Sequence, residues 1–129
     1  SIADIAFEAK EKILEEMFES AALAVTNTMV KDLKSVKHKV KKKIIVEENS
    51  TELLLYKFLD ELVFLKDAKK LLFSKFEIKI KDNKLTCFAF GEKLDMKKHE
   101  LLVDVKAVTM HKFSVKKNKV WKAFVILDI

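Results

Sequence analysis

Hydrophobic residues recur every three or four positions in two segments of the chain, which is the spacing of an amphipathic helix. The first segment begins at Glu11 and ends between Asn27 and Val30. The second follows Ser50 or Thr51, either of which can cap a helix. The apolar positions are Ile13, Leu14, Met17, Phe18, Ala21, Ala22 and Val25 in the first, and Leu54, Leu55, Phe58, Leu59, Leu62 and Leu65 in the second. The pattern therefore predicts two helices, each with one face against a sheet.

Elsewhere apolar and polar residues alternate, as they do in half-buried strands. The alternating segments are residues 2–9, 34–48, 71–80, 85–93, 101–115 and 119–129. The pairs Asp82-Asn83 and Lys117-Asn118 predict tight hairpin turns, because asparagine tolerates a positive φ. The element order predicts an α+β fold in a single domain, residues 1–129: an antiparallel (mixed at most) β-sheet with two amphipathic helices packed on one face.

The segment 101–115 places two charges on an apolar face. In a continuous strand Asp104 and Lys106 share the face of Val108 and Met110. Charged groups on such a face are costly unless something pairs them. The pattern predicts that they either lie in water at a sheet margin or belong to a site.

Composition excludes several classes of protein. The single glycine, Gly91, excludes Walker and dinucleotide-binding loops. The single cysteine, Cys87, excludes an internal disulfide and a cysteine-based zinc site, and we predict a buried, inert thiol. The three histidines lack metal-binding spacing. No apolar run approaches the roughly 20 residues needed to span a bilayer and no signal peptide is visible, so we predict a cytoplasmic protein without a membrane partner.

The charge balance favours polyanionic partners, since the net charge is +6 and all 26 basic residues are lysine. Lys37, Lys39, Lys41 and Lys43 alternate along one segment. They form either a solvated edge strand or a polyanion-binding surface, and the second reading makes the chain a basic nucleic-acid-binding module. The absence of arginine disfavours recognition of base edges, and we expect no exposed aromatic platform of the RRM type. A chain rich in lysine and glutamate is typical of hyperthermophile proteins, although codon bias produces the same composition.

Carboxylates lie close to both ends of the chain. Asp4 belongs to the first predicted strand and Asp128 to the last, so they meet if these strands are neighbours. Ile129 adds its main-chain carboxylate if the natural chain ends there. Converging carboxylates repel unless a hard divalent cation, Ca²⁺ or Mg²⁺, binds them. The alternative, which general statistics favour, is two ordinary surface aspartates.

Four stretches together resemble the archease family: "ADIAFEAKEKILEEMFESAALAV", "LLLYKFLDELVFLKDAKKLLFSKFEI", "AFGEKLDMKKHELLVDVKAVTMHKF" and "VILDI". The resemblance runs nearly end to end, and the "GEKLD…KHE…VKAVT" block and the terminal "DI" are its most specific parts. It implies a non-catalytic activator of the GTP-dependent RtcB-type ligase in tRNA splicing, which promotes ligase guanylylation and multiple turnover. The ligase would be the partner, with RNA reached indirectly through it. Chaperone-like modulation of RNA- or DNA-modifying enzymes is a further role the resemblance suggests.

The resemblance also implies particular site residues. A divalent ion, with Ca²⁺ favoured, would be bound by Asp4, Asp128 and the terminal carboxylate of Ile129. Lys106 matches the lysine of the family's activation motif. Ser1 stands where the family has a histidine, and the residues that usually precede that motif are absent. We therefore expect a truncated or altered N-terminus, which would weaken a site that includes Asp4.

Overall fold

In the computed structural model, which describes residues 3–129, the chain forms two helices and six strands. In chain order these are β1 (Asp4–Glu11), α1 (Leu14–Met29), β2 (Val40–Glu47), α2 (Thr51–Lys69), β3 (Leu71–Lys81), β4 (Lys84–Lys93), β5 (Ala107–Lys117) and β6 (Trp121–Asp128), with a 3₁₀ turn at Leu33–Ser35. The predicted α+β class, with antiparallel strands and two amphipathic helices, is confirmed. Within the described part of the chain, no helix has both the length and the apolar character to cross a membrane.

The strands form two three-stranded antiparallel sheets rather than one continuous sheet. Their orders are β1–β6–β5 and β2–β4–β3. In each sheet one face is buried against the helices, and in the central strands the buried apolar side chains are Leu85, Cys87 and Ala89 of β4 and Ala123, Val125 and Leu127 of β6. The first strand pairs with the last, a long-range contact that joins the two chain ends.

Both helices bury the faces that their spacing predicts, except that Ile13, which precedes α1, is 54% exposed. Helix α1 starts at Leu14, three residues later than expected, because β1 continues to Glu11, which pairs with Trp121. Helix α2 is capped as predicted, since the Ser50 side chain accepts a hydrogen bond from the backbone N–H of Leu53 at 3.1 Å. The rings of Phe18 and Phe58 stack between the helices with centroids 6.3 Å apart. The helices thus share one core with the sheets.

The single glycine is required by a close approach of two backbones. A Cβ atom on Gly91 would lie 1.8 Å from the carbonyl oxygen of Leu72 on the neighbouring strand β3. Strand β3 carries a bulge here, between Phe73 and Lys75. Helix α1 holds the bulge from the other side, because the Thr26 hydroxyl donates to the Phe73 carbonyl at 2.7 Å. Only a residue without a side chain fits at this position of β4.

The two predicted hairpin turns form in different ways. Asp82 and Asn83 both have positive φ, 52° and 62°, as expected for a tight turn between β3 and β4. Asn118 is not among the positive-φ residues of the described chain. Its backbone N–H instead donates to the carbonyl of Val120 at 3.1 Å. The second turn is therefore present, but the conformational reason given for it is wrong.

The predicted strand 101–115 begins only at Ala107. The segment before it is irregular and is held by α1, since the Leu102 N–H donates to the Met29 carbonyl at 2.8 Å. Val105 is fully buried, whereas Asp104 and Lys106 are exposed. The continuous strand predicted here was wrong, because contacts with the end of α1 replace pairing with a strand.

The other long strand prediction, 34–48, is also too long. Strand β2 begins at Val40, and the residues before it contain the 3₁₀ turn. The Asp32 side chain caps that turn by accepting from the Lys34 N–H at 3.0 Å. The prediction for Cys87 is confirmed: the residue is fully buried, and burial raises the pKa of its thiol to about 12. The thiol is therefore protonated and unreactive at neutral pH.

Candidate functional site at the joined chain ends

The two aspartates near the chain ends lie directly opposite each other. In the β1–β6 pair Asp4 is in register with Asp128, and the next pair is Ile5 with Leu127. Residues opposite one another in an antiparallel pair share a face of the sheet. Leu127 is fully buried on the inner face, so Asp4 and Asp128 lie on the outer one. The Ile129 N–H extends the pairing by donating to the Ala3 carbonyl at 3.2 Å.

Lys106 lies beside this pair on the other side of β6. Its backbone N–H donates to the carbonyl oxygen of Asp128 at 2.7 Å, and the following residue, Ala107, is in register with Asp128. The Lys106 side chain is exposed. One end of the β1–β6–β5 sheet, across the three strands, therefore carries Asp4, Asp128 and Lys106 in that order. The residues that the sequence singled out are neighbours in space.

The oxygen donors at this edge suit a hard cation better than a soft one, because carboxylates are the ligands that Ca²⁺ and Mg²⁺ prefer. Residues 3–129 contain no group of three or more histidine, cysteine, aspartate or glutamate side chains placed to hold a metal. Asp4 and Asp128 thus supply two side-chain carboxylates, and a third would have to come from the main chain at Ile129. The oxygen donors present therefore fit a hard divalent cation, but they are fewer than the side-chain ligands of a full protein coordination sphere. The departure at Ser1 lies outside the described residues.

Asp104, which the alternation placed beside Lys106, has a different partner. The ammonium of Lys66 on α2 donates to Asp104 Oδ1 at 2.6 Å and to the Val105 carbonyl at 2.7 Å, and it also contacts Asp67. Lys66 is only 5% exposed. Burial acts to lower its pKa, but the hydrogen bonds to the two aspartates outweigh this and the pKa is raised. The sequence held a signal for this pair, since Lys66 follows Leu62 by four positions and so falls on the apolar face of α2.

A second buried polar group, missed by the sequence analysis, lies in the "GEKLD…KHE" block. Glu92 accepts hydrogen bonds from the Lys37 N–H at 2.8 Å, from His99 Nε2 at 3.0 Å and from Lys98 Nζ at 2.7 Å. His99 Nδ1 accepts from the Asp95 N–H at 2.9 Å, so Nε2 must carry the hydrogen. Burial acts to raise the pKa of Glu92, but these hydrogen bonds outweigh it and lower the pKa to about 2. The block thus holds the 94–100 loop against the segment that leads into β2.

The lysines at 37–43 meet an aromatic surface that the sequence analysis did not expect. Lys41 and Lys43 on β2, an edge strand, are in register with Phe90 and Phe88 on β4. Both phenylalanines are only partly buried on the outer face of the sheet. Lys41 Nζ lies 4.5 Å from the centroid of the Phe88 ring. Two aromatic rings are therefore partly exposed on this face, although the sequence shows no platform motif of the RRM type.

Comparisons with known proteins agree on one family. The model of the "Archease protein family (MTH1598/TM1083)" matches residues 1–129. The chain is 39% identical to protein archease of Pyrococcus abyssi over 133 residues, covering 98% of this chain and 93% of that protein. It is 36% identical to Methanobacterium thermoautotrophicum protein 1598, whose solution structure superposes with a TM-score of 0.79 over 100% of this chain and 94% of that one. The crystal structure of a Thermotoga maritima archease, described as a possible chaperone, covers 100% of this chain and 93% of its own at 23% identity and a TM-score of 0.72, and shows the shared fold.

Proposed function

The chain belongs to the archease family, and from that premise we propose that it is a non-catalytic accessory protein of a GTP-dependent RtcB-type RNA ligase. In this role it promotes guanylylation of the ligase and allows multiple turnover during tRNA splicing. The ligase is its direct partner, and the reacting groups belong to the ligase.

One observation carries the proposal: the pairing of β1 with β6 that aligns Asp4 with Asp128, next to Lys106. Asp4, Asp128 and the exposed Lys106 are neighbours at one end of the sheet, where charged side chains can orient charged groups in the active site of a partner. Lys106 provides a point charge suited to phosphate oxygens. Its backbone is fixed by the hydrogen bond to Asp128, so the two residues act from one rigid position.

Asp4, Asp128 and the terminal carboxylate of Ile129, where the natural chain ends there, would hold the divalent ion that the family resemblance implies. When bound, a hard cation such as Ca²⁺ or Mg²⁺ supplies the positive charge that offsets repulsion between the carboxylates. The family resemblance favours Ca²⁺. Calcium titration followed by NMR tests this part: we expect shifts localised at Asp4 and Asp128 and their loss in Asp128→Asn. Shifts spread over the acidic surface would contradict the assignment.

Single-turnover guanylylation of the ligase, measured with and without this protein, tests the role itself. We expect Asp128→Ala and Lys106→Ala to reduce the stimulation, by about a hundredfold where a direct electrostatic contact to the reacting phosphates is lost. Asp60→Ala and Lys57→Ala, exposed positions on α2, are matched controls and should stimulate as the wild type does. Full stimulation by both site variants would refute the proposal.

A second candidate function, chaperone-like modulation of an RNA- or DNA-modifying enzyme, is favoured by an exposed apolar segment. Met96 is 79% exposed and Leu102 is 51% exposed, and Leu101 and Val103 are each 38% exposed. Surfaces of this kind bind apolar surface on other proteins. Suppression of the aggregation of an RNA methyltransferase on heating would measure it. This role predicts that Met96→Ser and Leu102→Ser lose the suppression of aggregation and that Lys106→Ala keeps it. The ligase role predicts that Lys106→Ala loses the stimulation of guanylylation and that Met96→Ser and Leu102→Ser keep it.

A further inference from the structure

The outward-facing residues of β2, β4 and β3 form rows across the sheet, because the three strands pair in register. The central strand contributes phenylalanine to two adjacent rows, and lysines flank it. The rows are Lys41–Phe90–Lys75, Lys43–Phe88–Glu77, Ile45–Thr86–Lys79 and Glu47–Lys84–Lys81. This surface, called the platform below, therefore carries six lysines and two glutamates around two aromatic rings. The helices cover the opposite face of the sheet, which leaves the platform open.

The aromatic rings of the platform continue beyond β4. Phe88 and Phe90 are two positions apart, so their attachment points are about 7 Å apart along the strand. The ring of His38 follows, with its centroid 6.4 Å from that of Phe90. Ammonium groups lie against the rings, with Lys41 Nζ 4.5 Å from the Phe88 centroid and Lys75 Nζ 5.0 Å from the Phe90 centroid. Three rings thus form a row with cations on both sides.

Basic depressions lie at both ends of the platform. One of about 480 Å³ begins at His38, and one of about 450 Å³ lies at the hairpin between β3 and β4. The first is lined by Lys34, Lys37 and His38, and the second by Lys79, Lys81 and Lys84 together with the carboxylates of Glu47 and Asp82. Lysines therefore outnumber carboxylates beyond the rings in both directions, which favours a linear polyanion along the platform.

We propose that the platform binds single-stranded RNA, with bases stacked on Phe88, Phe90 and His38 and phosphates attracted to the flanking lysines. Aromatic side chains on an open sheet stack two or three bases in RRM domains, and stacking tolerates any base. Lysines act on phosphates as point charges, which gives attraction without base readout. An acidic protein would match the positive charge of the platform but would not use the row of aromatic rings for stacking. The choice of RNA over DNA rests on the proposed function, in which the partner joins RNA ends.

Fluorescence anisotropy with a labelled oligouridylate of about ten nucleotides, added to the full chain without ligase, tests the proposal. We expect binding at about 50 mM salt that weakens as salt rises. The double variant Lys41→Ala/Lys43→Ala should bind about tenfold or more weakly, with a log–log salt slope smaller by about 1.4, as expected for two lost phosphate contacts. The matched double variant Lys57→Ala/Lys119→Ala changes the net charge equally away from the platform and should bind nearly as the wild type does.

The aromatic contribution is tested by Phe88→Leu and Phe90→Leu, which keep apolar bulk but remove the ring. Each should weaken binding about fivefold to a hundredfold, and Phe90→Tyr should retain it. Thermal unfolding of each variant separates weaker binding from loss of fold. NMR shifts of the wild type on RNA addition give a second readout, and they should map to the outer face of β2, β4 and β3.

Several results would overturn the proposal. The proposal fails if the chain does not bind RNA at low salt, or if both leucine variants bind it with wild-type affinity. It also fails if the two lysine double variants lose equal affinity for RNA, or if single-stranded DNA or polyglutamate binds more tightly than the RNA. The guanylylation assay is run without added RNA, and this assay contains no ligase. Failure of the platform proposal is therefore distinguishable from failure of the proposed function.

Discussion

Replacing Glu92 by glutamine should destabilise the fold more than any other single carboxyl-to-amide change that we can identify. The carboxylate accepts hydrogen bonds from Lys37 N–H, His99 Nε2 and Lys98 Nζ and is 5% exposed. Glutamine has the same shape but only one acceptor oxygen. Its NH₂ group must face either Lys98 or the other two donors, so at least one donor loses its acceptor.

The expected loss of unfolding free energy at pH 7 is about 2–3 kcal/mol. Hydrogen bonds to a charged group contribute about 1.5–3 kcal/mol each, and the Lys98 side chain, 34% exposed, regains part of its loss from water. The pKa of Glu92 gives a consistent figure. A fall from the ordinary value of 4.5 to about 2 corresponds to about 3 kcal/mol at most, which solvent screening near Lys98 reduces to about 2 kcal/mol. The midpoint of thermal unfolding should fall by about 6–12 °C.

The effect should depend on pH in one direction. Because the pKa of Glu92 is lower in the folded state than in the unfolded state, its contribution is complete above about pH 5 and is lost as the pH falls towards about 2. Urea unfolding of wild type and Glu92→Gln at several pH values should therefore show a difference in unfolding free energy that disappears in acid. Glu100→Gln is the matched control, because Glu100 forms an exposed ion pair with Lys31 at 3.6 Å and should lose less than about 0.5 kcal/mol. A Glu92 variant within about 0.5 kcal/mol of wild type at pH 7, or a gap that stays constant with pH, would refute the reasoning.

Three further changes test other parts of the fold by urea unfolding. Lys66→Ala should lose about 1–3 kcal/mol, since the buried carbonyl of Val105 loses its donor and the side chain leaves a buried space, and an unchanged midpoint would contradict a structural role for the ammonium. Gly91→Ala should prevent stable folding or lose more than about 3 kcal/mol, because the new methyl group collides with the Leu72 carbonyl; a soluble variant of wild-type stability would show that the strands can separate there. Ser50→Ala should lose about 1 kcal/mol through its helix cap, and Ser50→Asp should restore most of it.

The helices and most strands could be predicted from the sequence because their signals are local. The apolar spacing of α1 and α2 and the alternation of β3, β4 and β6 reflect contacts that each element makes along its own length. The strand prediction failed at 101–106, where an alternating sequence forms an irregular segment, because a hydrogen bond from Leu102 to Met29 ties the segment to a distant helix. It also failed to divide the strands between two sheets, since alternation shows which side is buried but not which strand is the neighbour.

The candidate site shows the same division. The sequence identified Asp4, Asp128 and Lys106 as notable residues, through their types, their positions and a family resemblance. Their proximity depends on the pairing of β1 with β6, which joins residues more than a hundred positions apart. Lys66 falls on the apolar face of α2, but its partner Asp104 comes from a distant segment, and the Lys37 N–H likewise reaches Glu92 from a distant segment.

The sequence by itself determined the two helices, most of the strands, the buried thiol and the family, because each follows from residue types and their spacing along the chain. The tertiary structure alone decided that the acidic chain ends meet beside Lys106, that Asp104 binds Lys66 and that Phe88 and Phe90 lie partly exposed among lysines. The physical reason is that strand pairing and register are long-range: hydrogen bonds between distant segments bring together side chains whose separation in the sequence carries no information about their distance in space.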